Sequence, residues 1–193
     1  MSAPFTVLFV CVGNLCRSPL AERLLRARLQ ERLGDLSAAV IVESAGTRAV
    51  VREPMDDMAA QELARLGFSN HHFRAHRLSA QMLTEADLVL TATKELRSRV
   101  LEDVPAALRR TFTIREFAAL VDGVQVESPK SLVADAAQRR SSAQLQEYDV
   151  PDPIGMGAAA HRVSADLIDA SLTPVAEAIA AAVRHAESVV STR

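Results

Sequence analysis

The chain has only two cysteines among its 193 residues, and they lie five residues apart, at Cys11 and Cys16. Such a pair is no disulfide framework, so a reducing compartment, the cytoplasm, is expected. The formal net charge of -2 excludes a global basic field that would attract nucleic acid or a membrane surface. No uninterrupted apolar run is long enough to span a bilayer, and the first one lacks the basic flank of a signal peptide.

Two further motifs are missing. No Gly-x-Gly-x-x-Gly pattern follows the first apolar run, which excludes a Rossmann dinucleotide site. His71, His72 and His76 cluster in the sequence without the cysteine or carboxylate spacing that a metal site needs. We therefore predict no cofactor and no metal. Nothing in the sequence indicates an oligomeric state.

What is present fits a single domain over residues 1–193, with 49% apolar and 24% charged residues. Four β-branched or aromatic runs alternate with helical patterns, and this order predicts an α/β fold with a small parallel sheet. The runs cover residues 5–11, 40–43, 87–92 and 111–114. A polar segment at about 122–148 is predicted to be a long loop with one modest helix near 132–139.

Helix boundary signals are clear at three places. A helix is predicted to begin at Ser18 as the N-cap and to end at Gly34. A second begins after Asp56, another good N-cap. Beyond Pro153 the pattern is helical again, with a restart or kink expected at Pro174.

The segment from Cys11 to Arg17, called here the Cys11–Arg17 loop, joins the first strand to the first helix. Its short length curls the backbone so that successive N–H groups point inward and bind a tetrahedral oxyanion. Gly13 is expected to adopt a conformation that a side chain would forbid, and Asn14 a left-handed one. The residues expected to hold the anion through the backbone are Val12, Gly13, Asn14, Leu15 and Cys16.

Side chains add chemistry to this loop. Arg17 can offer two parallel N–H bonds to phosphate oxygens. The positive electrostatic field of Arg17 and of the inward N–H groups favours the thiolate form of Cys11, which is the nucleophilic form. Ser18 can donate a hydrogen bond to that sulfur. The alternative is a buried structural cysteine with Arg17 on a helix surface. The preceding strand and the Ser-Pro helix start favour the functional interpretation.

A thiolate that attacks phosphorus needs a proton donor for the leaving group. Asp152 is the best candidate because Pro151 and Pro153 hold its carboxyl in a rigid loop. It would protonate the leaving oxygen and then deprotonate the water that hydrolyses the phosphocysteine. A turn-forming Asp-Pro is the alternative, and Asp149 is the local competitor.

Val10–Pro19, together with Ser44–Thr47 and Asp152–Pro153, resembles the low-molecular-weight protein tyrosine phosphatases and the arsenate reductases that share their fold. The resemblance implies a three-layer α/β/α fold with a four-stranded parallel sheet and a phosphate-binding loop after the first strand. It also implies a cysteine-dependent phosphomonoester hydrolase, most simply a protein-tyrosine phosphatase acting on phosphorylated proteins. The implied catalytic residues are Cys11, Arg17 and Asp152, and the implied loop supports are Asn14, Ser18 and Ser44.

Departures from the family pattern concern the substrate. Aromatic residues are missing after the Ser44–Thr47 segment and at Ile154, so both walls of a phenyl slot are absent. Tyr148 of the polar segment is a candidate replacement. The histidine that braces the family's loop has no clean match, and His72 is the nearest candidate.

Two alternatives remain open for the function. An arsenate reductase coupled to an external small thiol would use the same loop for arsenate, since no cysteine after Cys16 can serve an internal relay. A non-catalytic phosphate-binding regulator is the other. Cys16 itself has two interpretations, a reversible disulfide partner of Cys11 or a small packing residue.

Overall fold

Four parallel strands form the centre of the fold, in the order β2-β1-β3-β4. A computed structural model describes residues 3–191. The strands are β1 (Phe5–Cys11), β2 (Val40–Gly46), β3 (Leu88–Thr91) and β4 (Thr111–Thr113). The chain leaves β1 for one neighbour and later returns to its other side, so the strand order reverses at β1. Ligands of open parallel sheets bind at the carboxyl ends of strands beside such a reversal.

Seven α-helices surround the sheet in the part of the chain that is described. They are α1 (Arg17–Leu33), α2 (Asp57–Arg65), α3 (Ala80–Glu85), α4 (Lys94–Asp103), α5 (Ile114–Val121), α6 (Pro129–Gln138) and α7 (Gly157–Ser191). Short 3₁₀ turns at Gly34–Ala39, Pro105–Arg110 and Arg140–Ser142 complete the connections. Within residues 3–191, no helix combines the length and apolarity needed to cross a membrane.

Both faces of the sheet are covered. Val7 and Phe9 of β1 belong to the large core cluster that includes α1, α5 and α7, while Leu8 and Val10 pack with residues of α3 and α4. Alternation along β1 therefore divides one continuous apolar run between two helical layers. This confirms the predicted three-layer α/β/α fold.

The boundaries of α1 differ at one end from the prediction. The helix ends at Gly34, whose φ of 55° suits glycine. It begins at Arg17 rather than after Ser18, with Cys16 at the N-cap and no side-chain capping bond. The Ser18 cap prediction was wrong because its hydroxyl is used elsewhere. At α2 the prediction is confirmed, since the Asp56 carboxylate accepts the N–H groups of Met58 and Ala59, each at 3.0 Å.

One helix, α5, was not predicted from the sequence. The run at 111–114 was assigned wholly to a strand, but β4 stops at Thr113 and α5 begins at Ile114. Thr113 and Glu116 form a reciprocal capping box there. Within the polar segment, α6 starts at Pro129, three residues before the predicted helix, and buries Leu132, Val133 and Ala136.

The last helix is continuous through Pro174, so the expected restart is wrong, and the alternative, a kink at Pro174, stays a prediction. Proline removes one backbone hydrogen bond of the helix. Burial of Leu172, Val175 and Ile179 in the core compensates for that loss. α7 thereby packs along both α1 and α5.

Candidate active site

The Cys11–Arg17 loop lies where the sequence placed it, at the carboxyl end of the central strand. Cys11 is the last residue of β1 and Arg17 the first of α1. The Cys11 side chain is only 2% exposed. It lies at the floor of a cavity of about 180 Å³ that loop residues line together with Asp152 and Ile154.

Backbone carbonyls of this loop are bonded on its outer side. The carbonyls of Cys11, Val12 and Leu15 accept the N–H groups of Thr47, Arg48 and Asp56 at 3.0, 2.8 and 3.0 Å. Because the C=O and N–H of a peptide unit point in opposite directions, carbonyls that face outward turn N–H groups toward the cavity. A ring of inward N–H dipoles at a helix N-terminus is an anion site.

Cys11 has two polar neighbours inside the loop. Its Sγ accepts the backbone N–H of Asn14 at 3.2 Å and lies 2.9 Å from the Ser18 hydroxyl. That hydroxyl accepts a hydrogen bond from the Asn14 side chain at 2.9 Å, and its other neighbour, the Ala45 carbonyl, is 3.4 Å away. The Ser18 hydroxyl is therefore best placed to donate its hydrogen bond to the Cys11 sulfur. This contact is why Ser18 does not cap α1.

Asn14 stabilises the loop through the hydrogen bonds of its side chain. It is fully buried with φ of 54°, in the left-handed region that asparagine tolerates. Its amide N–H groups bond the Ser18 and Ser44 hydroxyls, both at 2.9 Å, and its Oδ1 accepts the backbone N–H of His76 at 2.8 Å. Ser44 in turn donates to Glu22 at 2.5 Å. Every hydrogen-bonding group of this buried amide except one lone pair is used.

These contacts correct the prediction that His72 braces the loop. His72 lines a separate cavity, together with Ser44 and Glu22. The brace comes instead from the backbone amide of His76. A backbone donor leaves no residue-type signal in a sequence, so only the tertiary structure identifies it.

Gly13 was predicted to adopt a conformation that a side chain would forbid, but the loop requires glycine at another position, Gly46. Gly13 does not have a positive φ, and a methyl group there would meet only the Leu15 side chain, at 3.6 Å. Gly46 of β2 pairs with Cys11, and a Cβ on it would lie 2.6 Å from the Val12 carbonyl oxygen and 2.7 Å from Asn14 N. Glycine is thus required at 46, where backbone passes against backbone.

Replacing Gly46 with alanine is expected to displace the loop and to destabilise the fold by about 1–3 kcal/mol, the usual range for an overpacked site. For a chain of this size each kcal/mol lowers the unfolding midpoint by about 2–4 °C. Thermal unfolding of Gly46→Ala, with Gly13→Ala as the control, measures this. Equal midpoints for the two variants would contradict a close approach at Gly46.

Arg17 and Asp152 meet at the mouth of the cavity. Arg17 is 3% exposed, donates to the Val150 carbonyl at 3.1 Å, and pairs with the Asp152 carboxylate at 2.5 Å. Asp152 is about half exposed, so its carboxyl faces both the arginine and solvent. The competitor Asp149 is held elsewhere, by the backbone N–H of Lys94 at the start of α4, at 2.8 Å.

The cavity walls are aliphatic. Val12, Leu15 and Ile154 line it, and Ile154 is 49% exposed at the rim. Tyr148, considered as a replacement for the missing aromatic wall, is not among the lining residues. Its ring contacts the Lys94 ammonium, 4.0 Å from the ring centroid, and its hydroxyl donates to the Ala143 carbonyl. That suggestion was wrong.

Cys16 is buried on the inner side of the loop, and both thiols are free. Burial raises the pKa of the Cys16 thiol, and the nearby negative charges of Asp56, Cys11 and Asp152 raise it further, against a smaller opposite effect of Arg17. Cys16 is therefore a neutral thiol at physiological pH.

Comparison with known proteins agrees with this geometry. A family model described as low molecular weight phosphotyrosine protein phosphatase matches residues 6–142. The chain belongs to this family. The match confirms the family resemblance and includes Val10–Pro19 and Ser44–Thr47, while Asp152–Pro153 lies outside the matched residues.

Three relatives illustrate the range of the family. The low molecular weight protein-tyrosine-phosphatase Etp of Escherichia coli (strain K12) is 37% identical over 106 residues, which is 55% of this chain and 66% of that relative. A protein-arginine-phosphatase of Geobacillus stearothermophilus is 32% identical over 120 residues, 62% of this chain and 76% of the relative. The solved low molecular weight protein tyrosine phosphatase from T. tengcongensis has a TM-score of 0.68 at 28% identity, covering 90% of this chain and 98% of that one.

Sequence reasoning brought together Cys11, Arg17 and Asp152, and the structure places them around one cavity. The predicted loop supports Asn14, Ser18 and Ser44 are hydrogen-bonded to one another behind Cys11. Sequence reasoning missed Gly46 as a packing requirement and Glu22 as the acceptor behind Ser44. The Cys11–Gly46 register could not be inferred from a single sequence. The available signal for Glu22 was its position four residues after Ser18, on the same face of the predicted helix.

Proposed function

We propose that this protein is a cysteine-dependent phosphomonoester hydrolase that acts as a protein-tyrosine phosphatase. One observation carries the proposal. The Cys11 sulfur lies at the floor of a loop whose carbonyls are bonded outward, with Arg17 and Asp152 paired at its mouth. Nucleophile, anion-binding groups and proton donor therefore lie around one cavity of about 180 Å³.

The reaction follows from these positions in two steps. The Cys11 thiolate attacks phosphorus, the P–O bond to the leaving group breaks, and Asp152 delivers a proton to the departing oxygen. Arg17 and the loop N–H groups bind the equatorial oxygens, where negative charge is held. In the second step Asp152 removes a proton from water, which attacks phosphorus and releases Cys11 as a thiolate. Ser18, 2.9 Å from the sulfur, donates a hydrogen bond to it.

Arg17 can bind phosphate beside its present partners. The guanidinium is bonded to the Val150 carbonyl and the Asp152 carboxylate, and because it has five N–H groups, three remain for phosphate oxygens. The phosphate and the Asp152 carboxylate, both negative, compete for the charge of this one guanidinium. Uptake of a proton from solvent by Asp152 relieves that repulsion and supplies the proton that Asp152 delivers to the leaving group.

Phosphotyrosine is the first proposed substrate. The aliphatic side chains of Val12, Leu15 and Ile154 can contact both faces of a phenyl ring without aromatic stacking. Phosphoarginine is a second candidate, favoured by the arginine phosphatase among the relatives. An adjoining cavity of about 280 Å³ contains Glu95 and Asp149 beside Arg99, and these carboxylates can meet a guanidinium group.

The test is hydrolysis of p-nitrophenyl phosphate, followed by phosphate release from one peptide carrying phosphotyrosine and from its phosphoarginine counterpart. We expect hydrolysis of the nitrophenyl ester and a higher kcat/KM for the phosphotyrosine peptide. A preference for phosphoarginine would keep the mechanism and change the substrate. Absence of any hydrolysis would contradict the proposed activity.

The remaining alternatives have their own signatures. An arsenate reductase would oxidise an added small thiol only when arsenate is present. A phosphate-binding regulator would bind phosphate without turnover. A nucleophilic thiol that must remain reduced suits the cytoplasm, and phosphorylated proteins there are the proposed partners.

We also propose that peroxide converts Cys11 to a sulfenic acid and that the Cys16 sulfur then displaces water to form a disulfide. Cys16 is the only other cysteine in the chain, and it lies in the same tightly curled loop. Mass spectrometry after mild peroxide treatment should show a loss of two hydrogens that dithiothreitol reverses. Sulfinic Cys11 without a disulfide would contradict this.

A further inference from the structure

Behind the Cys11–Arg17 loop lies a cluster of three metal-binding side chains. One ligand atom each of Cys16, Asp56 and His161 lies within 4.8 Å of the other two. They come from three distant segments: the loop, the N-cap of α2 and the first turns of α7. Cys11 is not part of the cluster, although Cys16 lines the same cavity as Cys11.

A separate observation points to a ligand at this cluster. His161 is 3% exposed, and its Nδ1 has no hydrogen-bond partner within the described part of the chain. Asp56 Oδ1 lies 3.6 Å from this nitrogen, beyond hydrogen-bond distance, and already accepts two backbone N–H groups of α2. Buried polar atoms are nearly always bonded. This buried nitrogen therefore lies beside a thiol and a carboxylate without a bond of its own, as a metal ligand would.

We propose that Cys16, Asp56 and His161 bind a divalent transition metal ion of the zinc class. Sulfur, imidazole nitrogen and carboxylate oxygen are the ligands that zinc takes, and three protein ligands leave a fourth position for water. Binding replaces the thiol proton by the metal, and the proton passes to solvent, with no change of oxidation state. Asp56, whose side chain is 29% exposed, provides the side from which an ion enters.

The charges of the proposed ligands suit a cation. Asp56 contributes a carboxylate and Cys16, once the metal replaces its proton, a thiolate. A divalent cation between them neutralises both negative charges. The ion would also join α7 and α2 to the loop, since the Asp56 backbone already bonds the Leu15 carbonyl at 3.0 Å. The metal is therefore expected to act on loop stability.

Cobalt(II) is a suitable probe, because a thiolate bound to it produces a charge-transfer absorption. The experiment uses Cys11→Ser protein, in which Cys16 is the sole cysteine. Titration with Co²⁺ is expected to give this absorption with one equivalent bound, and Zn²⁺ to displace it. Adding Cys16→Ser should remove the absorption. Adding His161→Gln or Asp56→Asn should weaken Co²⁺ binding by at least ~10–100-fold, the cost of losing even an outer partner.

The matched controls are His185→Gln on the same helix and Asp57→Asn next to the cap, both exposed positions. They should bind Co²⁺ as the Cys11→Ser parent does. Should His161→Gln fail to fold, a second measurement replaces it. Zn²⁺ is expected to raise the unfolding midpoint of Cys11→Ser protein but not that of Cys11→Ser/Cys16→Ala protein. Absence of the thiolate absorption, or equal midpoint shifts in these two proteins, would overturn the proposal.

Discussion

Cys11→Ser is expected to abolish hydrolysis of p-nitrophenyl phosphate while retaining phosphate binding. A serine hydroxyl needs a general base to become a nucleophile, and the polar neighbours of Cys11 are a hydroxyl and a backbone N–H. The anion-binding groups are backbone N–H groups and Arg17, which this change leaves in place. Steady-state kinetics measures the loss, and calorimetric titration with phosphate or vanadate measures the retained binding.

Cys16→Ser is the matched control for this prediction. It makes the same substitution at the other cysteine of the same loop and should retain measurable hydrolysis. Persistent turnover in Cys11→Ser protein would assign the nucleophile elsewhere. Loss of both turnover and anion binding would instead indicate a collapsed loop, which circular dichroism and thermal unfolding would reveal.

Asp152→Ala is expected to lower kcat by ~10²–10⁴-fold, the usual contribution of a positioned general acid. Phosphate affinity should not fall with it. The Asp152 carboxylate competes with phosphate for the Arg17 guanidinium, so its removal is expected to tighten binding of the phosphate ion. The combination of slower turnover with tighter anion binding distinguishes an acid paired with Arg17 from a residue that only supports the loop.

Asp149→Ala serves as the control, since the Asp149 carboxylate bonds the start of α4 rather than the arginine. Its kcat should remain near that of the wild type. If Asp152→Ala retains full turnover and Asp149→Ala loses it, the assignment of the acid is wrong. Leaving groups of different pKa sharpen the test, because Asp152→Ala should be least impaired with the best leaving group.

Local patterns account for what the sequence could predict. The apolar run, short loop and helical repeat around Cys11–Arg17 are contiguous, so their order alone fixes the strand–loop–helix geometry. Asp56 was identified as a cap from its neighbours. The capping box of Thr113 and Glu116 was equally local and was missed, because Ile114 extended an apolar run and favoured a longer strand.

Contacts between distant segments account for what could not be predicted. Ser18 has the residue type of an N-cap, yet the nearby sulfur uses its hydroxyl. Gly46 looks like an ordinary turn glycine until β2 is placed against the loop. The Cys16–Asp56–His161 cluster spans 145 positions (161 minus 16), and none of its members has metal-ligand spacing with another. The amino-acid sequence alone therefore contains no signal for such a cluster.

The pairing of Cys11 with Gly46 has a consequence for the edge of the sheet. β2 has a strand partner on only one side, with a single bridge from Gly46 to Arg77 on the other side within the described residues, and the register of such strands is fixed mainly by the side-chain alternation that a one-residue slip reverses. A slip here would put the methyl group of Ala45 or the side chain of Thr47 under the loop and move Ser44 away from Asn14. The same slip would turn Glu43 inward in place of the buried Val42. The hydrophobic core and the anion site therefore require one and the same register of the edge strand.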